Sequence, residues 1–350
     1  MTTVLESLND SLHQVLAENQ DVIILGEDVL DPYGGAFKVT RGLSTAFTQQ
    51  VITTPVSEAG IVGVAAGMAM RGLRPLVEIM FGDFITLAAD QLINHAAKFR
   101  WMYNNQVRVP IVVRTPMGGR RGYGPTHSQT LEKLFLGVPG LRVLAPCALQ
   151  VGSSKTVDKN DGPGDLLTHA ILAVDDPVLF VENKLLYLSS IQNPDLLPEF
   201  DIARVTQGSR SSLPNLLTYK LTIRGAPPPD ITLTAYGYMA ELSRYAIHRL
   251  VYEYEIFVEM IVPTQLAPVD VGPILDSVRR TGRLLTVEEG TLTLGWGAEI
   301  VARTTESLQS KLKSARRLAA KDLPIPASTP LEQAVLPGVD QIVQIVRKMV

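Results

Sequence analysis

At 350 residues, 46% hydrophobic and 19% charged, the chain exceeds one ordinary core and is too apolar to be disordered, so two domains are expected. A formal charge of −3 gives no footprint for nucleic acid or an anionic membrane, and the lone Cys147 excludes an internal disulfide framework. The start MTTVLESLNDSLHQVL has no basic segment leading into an apolar run, and no apolar run reaches membrane-spanning length, so a cytoplasmic protein is expected.

Val4, Leu5, Leu8, Leu12, Val15 and Leu16 recur at helical spacing and predict an amphipathic first helix. The apolar run 22–25, stopped by Gly26, reads as a strand buried on both faces, followed by a polar loop over 27–38. A strand near 51–53 leads into TTPVSEAGIVGVAAG (53–67), where Glu58 opens an Ala/Gly-rich helix. Gly60, Gly63 and Gly67 line one face of that helix, so a backbone, a helix or a cofactor is expected to approach it closely. Further on come a strand at 75–80, a long helix at 84–103 and a strand at 109–114. The glycine-rich loop TPMGGRRGYGPTHSQT follows, then a helix at 131–136, a strand at 141–144, a surface insertion at 152–165 and a strand at 178–181. Periodicity weakens and prolines accumulate from 189 to 230, which reads as a linker holding a strand at 217–223. Beyond it, strands at 231–235, 256–262 and 284–287 alternate with helices at 271–280, 299–312 and 339–349. Apolar strands alternating with helices make both halves α/β. The expected division is a domain at 1–190, a linker at 191–229 and a smaller domain at 230–350.

The sequence lacks GxxxxGK[ST], a GxGxxG after the first strand, CxxC, HExxH and GxSxG. Its unusual features are Glu58 at the glycine-faced helix and His127 in the glycine-rich loop. Each has a plain structural reading. Glu58 would be a helix-start carboxylate with Ser57 or Thr54 capping; His127 would cap the helix near 131. Phe84 would be core, and Glu27 and Asp28 solvated turn residues. Against this, all of them follow successive strands, at the carboxyl edge where open α/β sheets bind ligands.

The segments ILGEDV (24–29), YGGAFKVTRGL (33–43), TPVSEAGIVGVAAGMAMRGLRPLVEI (54–79), DQLINHAAKFR (90–100), VPIVVRTPMGG (109–119), HSQ (127–129), PGLRVLAP (139–146), DDPVLFVENKLLY (175–187), GRLLTVEEG (282–290) and KDLPIP (321–326) occur in one family's order across nearly the whole chain. The chain resembles the β subunit of thiamine-diphosphate-dependent 2-oxo acid dehydrogenases, the E1 component of pyruvate and branched-chain complexes. The resemblance implies an N-terminal pyrimidine-binding, transketolase-like parallel-sheet domain and a smaller transketolase-like C-terminal α/β domain. It implies that Glu58 contacts the cofactor's aminopyrimidine N1′ and shares a proton with it, and that Phe84 stacks on that ring. His127 would hydrogen-bond or protonate substrate-derived oxygen, or assist acyl transfer to a lipoyl group. A K⁺ site near Ile111 and Asp176 is known in some relatives. The superfamily holds the diphosphate and its Mg²⁺ with a GDG motif, and no GDG occurs here. The resemblance therefore implies a separate E1 α subunit, an α2β2 heterotetramer with shared active sites, and a lipoyl acyltransferase E2 as further partner. The implied activity is that of an oxidoreductase decarboxylating a 2-oxo acid; the alternatives are half of a split transketolase, or a non-catalytic or specialised biosynthetic β-like subunit. The chain departs from the family pattern at Pro263, where arginine is usual, in the insertion at 152–165 and in a long linker at 200–228.

Overall fold

The structure, a computed structural model, describes residues 2–152, 161–205 and 217–350. In chain order the described strands are β1 (Val22–Gly26), β2 (Val51–Thr53), β3 (Arg74–Glu78), β4 (Val112–Met117), β5 (Arg142–Leu144), β6 (Val178–Asn183), β7 (Phe200–Arg204), β8 (Thr218–Ile223), β9 (Ile231–Ala235), β10 (Val258–Pro263), β11 (Gln265–Ala267), β12 (Arg283–Thr291) and β13 (Ser314–Ala320). They form two sheets, ordered β11-β5-β6-β4-β3-β1-β2 and β13-β12-β9-β10-β8-β7. The first sheet is parallel except for β11, and the second pairs β7 and β8 antiparallel. The described α-helices are α1 (Val4–Glu18), α2 (Leu43–Ala46), α3 (Glu58–Met70), α4 (Ala97–Met102), α5 (Pro163–Leu172), α6 (Tyr238–Tyr254), α7 (Gly272–Thr281), α8 (Trp296–Leu308), α9 (Thr329–Val335) and α10 (Val339–Met349).

Local chemistry explains several of these bounds. Thr3 and Glu6 close a reciprocal capping box on α1, whose Leu8, Leu12 and Leu16 are fully buried. Pro110 has no amide to donate, so β4 begins at Val112 and not at 109. The predicted helix at 84–103 is composite. A 3-10 stretch (Gly82–Ala88) is followed by a wider π turn (Gln91–Ala96) and only then by α4. The predicted helix at 131–136 is a single 3-10 turn, Glu132–Leu134, whose Glu132 is drawn inward to the Tyr236 hydroxyl.

Two sequence expectations are corrected. Of the predicted insertion at 152–165, residues 153–160 lie outside the described residues, but its end is not surface. Asp161 is 1% exposed, accepts the Gly152 amide at 3.0 Å and the Tyr219 hydroxyl at 2.7 Å, and Pro163 opens α5. The segment read as a linker, 191–229, holds the expected strand at 217–223 as β8 and a further strand, β7, both in the second sheet, because the alternate burial of Phe200, Ile202, Tyr219 and Leu221 gives them a core face.

The halves are also interleaved. After Pro263 the chain returns to the first sheet as β11, with Thr264 C=O accepting the Ala145 amide at 2.8 Å. One apolar cluster joins Val113, Phe135 and Leu179 to Leu266, Ile274 and Trp296. Each fully buried aliphatic side chain of this kind contributes roughly 1.5–3 kcal/mol. Across β3, β4 and β6, buried Arg114 bridges Glu78 and Glu182 and also meets the Tyr187 hydroxyl. Removing one member of such a network leaves an uncompensated buried charge, a loss of about 3–5 kcal/mol. Among the described residues, no helix is long and apolar enough to cross a membrane.

Candidate active site

Successive strand ends deliver the candidate residues. Gly26 closes β1 and is followed by Glu27; β2 leads through Pro55 to Glu58 at the first turn of α3. Likewise β3 leads to Phe81 and Phe84, β4 to the His127 loop, and β6 to Lys184. The sheet order reverses at β1, which has β2 on one side and β3 on the other. Such a reversal opens a crevice at the carboxyl edge of a parallel sheet.

Glu58 is 6% exposed and Glu27 8%. Neither proposed cap operates: Ser57 makes no side-chain hydrogen bond to α3, and Thr54 Oγ1 is buried without a partner. Among the described residues no hydrogen bond reaches the Glu58 carboxyl, and Glu27 Oε1 is buried without a partner. Burial raises the Glu27 carboxyl above its ordinary pKa, the charge of Glu58 adds to this, and the Ser57 backbone amide opposes it. Glu27 is therefore no solvated turn residue, whereas Asp28 beside it is exposed.

His127 does not cap a helix. Its ring meets Phe81 at 4.7 Å and Phe84 at 5.2 Å between centroids, edge to face in both cases, and Nδ1 lies 2.9 Å from Thr126 Oγ1. The loop that carries it is anchored to the second half of the chain. Gly118 has φ +96, and a Cβ there would stand 3.0 Å from Glu289 Oε1, so only glycine fits. Glu289, on β12, accepts the Gly119 amide at 2.6 Å and Asn183 Nδ2 at 3.0 Å. Glu332, on α9, accepts the Arg120 amide at 2.6 Å.

Residues 1–188 match the transketolase pyrimidine-binding domain, and residues 222–342 match the transketolase C-terminal domain. The chain is 36% identical over 348 residues to pyruvate dehydrogenase E1 component subunit beta-2, mitochondrial, of Oryza sativa subsp. japonica, covering 99% of this chain and 85% of that one. It is 32% identical over 352 residues to pyruvate dehydrogenase E1 component subunit beta of Rickettsia bellii (strain RML369-C), covering 99% and 98%. The chain belongs to the 2-oxo acid dehydrogenase E1 β-subunit family. A solved structure titled split gene transketolase, inactive beta4 tetramer, shares the fold with a TM-score of 0.73 at 19% identity, covering 100% of this chain and 98% of that one.

In this E1 β-family chain the predicted residues fall into two groups along one sheet edge. Glu58 faces Glu27, and Phe84 touches His127, with no hydrogen bond or ring contact between the groups. The helical turn bearing Phe84 packs on α3, so both groups share a wall of the crevice. Ile111 and Asp176 are otherwise engaged. The Ile111 carbonyl accepts the Val178 amide at 2.9 Å, while Asp176 Oδ1 holds Arg100 at 2.6 Å and Oδ2 holds Arg142 at 3.0 Å. Both carboxylate oxygens are taken by guanidinium groups, so the K⁺ site that the resemblance implies, built mainly from backbone oxygens, would not draw on this carboxylate. Sequence reasoning passed over Phe81, Asp83, Lys184 and Glu289. Lys184 had a usable signal, since it immediately follows a buried strand at the carboxyl edge.

Proposed function

We propose that this chain is the β subunit of a thiamine-diphosphate-dependent 2-oxo acid dehydrogenase E1, decarboxylating a 2-oxo acid and passing the acyl group to a lipoyl carrier. It supplies the pyrimidine side of the active site. The diphosphate and Mg²⁺ side belongs to a separate α subunit in an α2β2 assembly, which works with a lipoyl acyltransferase E2. The observation that carries this reading is Glu58, a carboxyl buried at the crevice edge with no hydrogen bond among the described residues. A carboxyl held at the crevice edge with its acceptor sites unfilled is open to a ring nitrogen that shares its proton. The residues present thus fit the pyrimidine half of the cofactor, and the absence of GDG leaves the other half to a partner.

Bound thiamine diphosphate supplies a nucleophilic carbon and a sink for the electrons released with CO2. The protein's own groups do the rest. Glu58 holds a proton toward the pyrimidine ring. Phe84 and Phe81 line the crevice with apolar surface and exclude water. His127, wedged against both rings, meets substrate-derived oxygen as hydrogen-bond donor or proton source.

The test is reduction of an artificial electron acceptor by the α–β complex supplied with 2-oxo acids. Glu58→Ala is expected to abolish it without lowering Tm. Full activity in that variant would contradict the mechanism. Turnover of ketose and aldose phosphates in place of 2-oxo acids would assign the chain to a split transketolase.

A further inference from the structure

Two side chains of opposite charge hold the backbone of the HSQ segment. Lys184 Nζ donates to the His127 carbonyl, and Asp83 Oδ1 accepts the Gln129 amide at 3.3 Å. These grips fall on either side of Ser128, which is fully buried. Each gripping residue is itself fixed. Lys184 follows β6, and its own amide donates to the Met117 carbonyl at 3.1 Å. Asp83 sits in the 3-10 stretch between Phe81 and Phe84. The Lys184 ammonium lies 5.3 Å from the Phe81 ring centroid and 5.5 Å from that of Tyr123, and Phe81 is the ring that touches the imidazole most closely.

Lys184 is fully buried. Taking an ammonium out of water costs several kcal/mol before pairing, and a packed apolar side chain would close the loop more cheaply. A charge retained in such a place implies a demand for a fixed donor at one backbone atom. We infer that Lys184 and Asp83 are positioning residues for His127, clamping the HSQ backbone from two sides and so setting where the imidazole stands. The inference rests on the reading of His127 as a substrate-facing group.

The groups that face the ammonium are Asp83, Glu289 and Glu332, which favour its charge, and Arg121, which opposes it. Burial outweighs them and lowers its pKa to about 8. Lys184 is therefore charged below about pH 8 and loses its attraction to Asp83 above it, so turnover is expected to decline as pH rises past that point.

The experiment uses the α–β complex carrying Lys184→Met, Lys184→Arg or Asp83→Asn. The readouts are kcat, thiamine diphosphate affinity and hydrogen exchange at the Gln129 amide. Lys184→Met is expected to lower kcat roughly 100-fold, the scale of an ångström-level misplacement. It should also speed exchange at Gln129 and leave cofactor affinity unchanged. Lys184→Arg keeps its charge at alkaline pH and should shift the alkaline decline upward. Asp83→Asn, nearly isosteric, carries the same test should Lys184→Met fail to fold. Wild-type kcat and wild-type exchange in Lys184→Met, or in Asp83→Asn where that variant stands in, would overturn the inference. If the unsubstituted complex turns over no 2-oxo acid, the functional reading fails by itself, and the exchange measurement still judges the clamp.

Discussion

A carboxylate in the first turn of a helix gains about 0.3–1 kcal/mol from the peptide dipoles while it stays hydrated. Glu58 has that position with a largely buried side chain, and it faces a second buried carboxyl, Glu27. The residue type and its place after a strand are legible in the sequence. Its burial is not, because the walls around it come from segments far apart in the chain. Asp83 escaped notice for the same reason, being ordinary in its own neighbourhood and informative only across the fold, while Lys184 left only its place after a buried strand. Glu288 shows the energetic side of such burial. Its Oε1 accepts the Gly297 amide at 2.9 Å, Oε2 has no partner, and burial, reinforced by the charge of Glu132, raises its pKa from 4.5 to about 7. A carboxyl whose folded pKa lies above its unfolded value stabilises the fold fully below about pH 4.5, and that stability is lost as pH rises through about 7. The amount is on the order of 3 kcal/mol. Glu288→Gln should therefore flatten the fall in Tm between those two pH values. A variant whose Tm falls as steeply as that of the unsubstituted protein would contradict this.

Among the elements, α3 carries the most information. Its inward face is Ile61, Val62, Ala65, Ala66 and Ala69, all buried. The outward face holds Gly60, Gly67 and the exposed Val64 and Met70, and nothing lies within 4 Å of a Cβ built at Gly67. The sequence predicts a close approach at Gly60, Gly63 and Gly67. Within the chain Gln91 Oε1 stands 3.4 Å from a Cβ built at Gly63, while Gly67 stays open. In the proposed α–β assembly this open face is where another subunit would pack. Gly67→Leu is expected to leave the Tm of the isolated chain unchanged or slightly raised, since glycine costs about 1 kcal/mol in a helix. The same variant should fail to assemble with the α subunit in size-exclusion chromatography with light scattering. Normal assembly would remove this face from the interface. Periodicity located α1 and α10 well because each has one clear apolar stripe, while α3 was read from the Ala/Gly-rich run behind Glu58. It misjudged 84–103, where the apolar spacing is helical but the backbone passes through 3-10 and π geometry. Within 191–229 it placed the strand at 217–223 that is β8 but missed β7, where the segment's proline-rich composition masks the alternate burial of Phe200 and Ile202.

For the whole molecule, the two-half α/β architecture follows from alternating apolar strands, but the interleaving does not. Nothing local to residues 265–267 says that they complete the first sheet, or that Glu289 will hold the base of the His127 loop. These ties mean that the second half supports the loop that carries His127. In the proposed function the chain presents half of a cofactor site. Calorimetric titration of thiamine diphosphate with Mg²⁺ tests it most directly, run on this chain alone, on the α subunit alone and on the two mixed. The account predicts saturable binding, one cofactor per α–β pair, in the mixture only, and its loss with Glu58→Ala. Stoichiometric binding by this chain alone would contradict it.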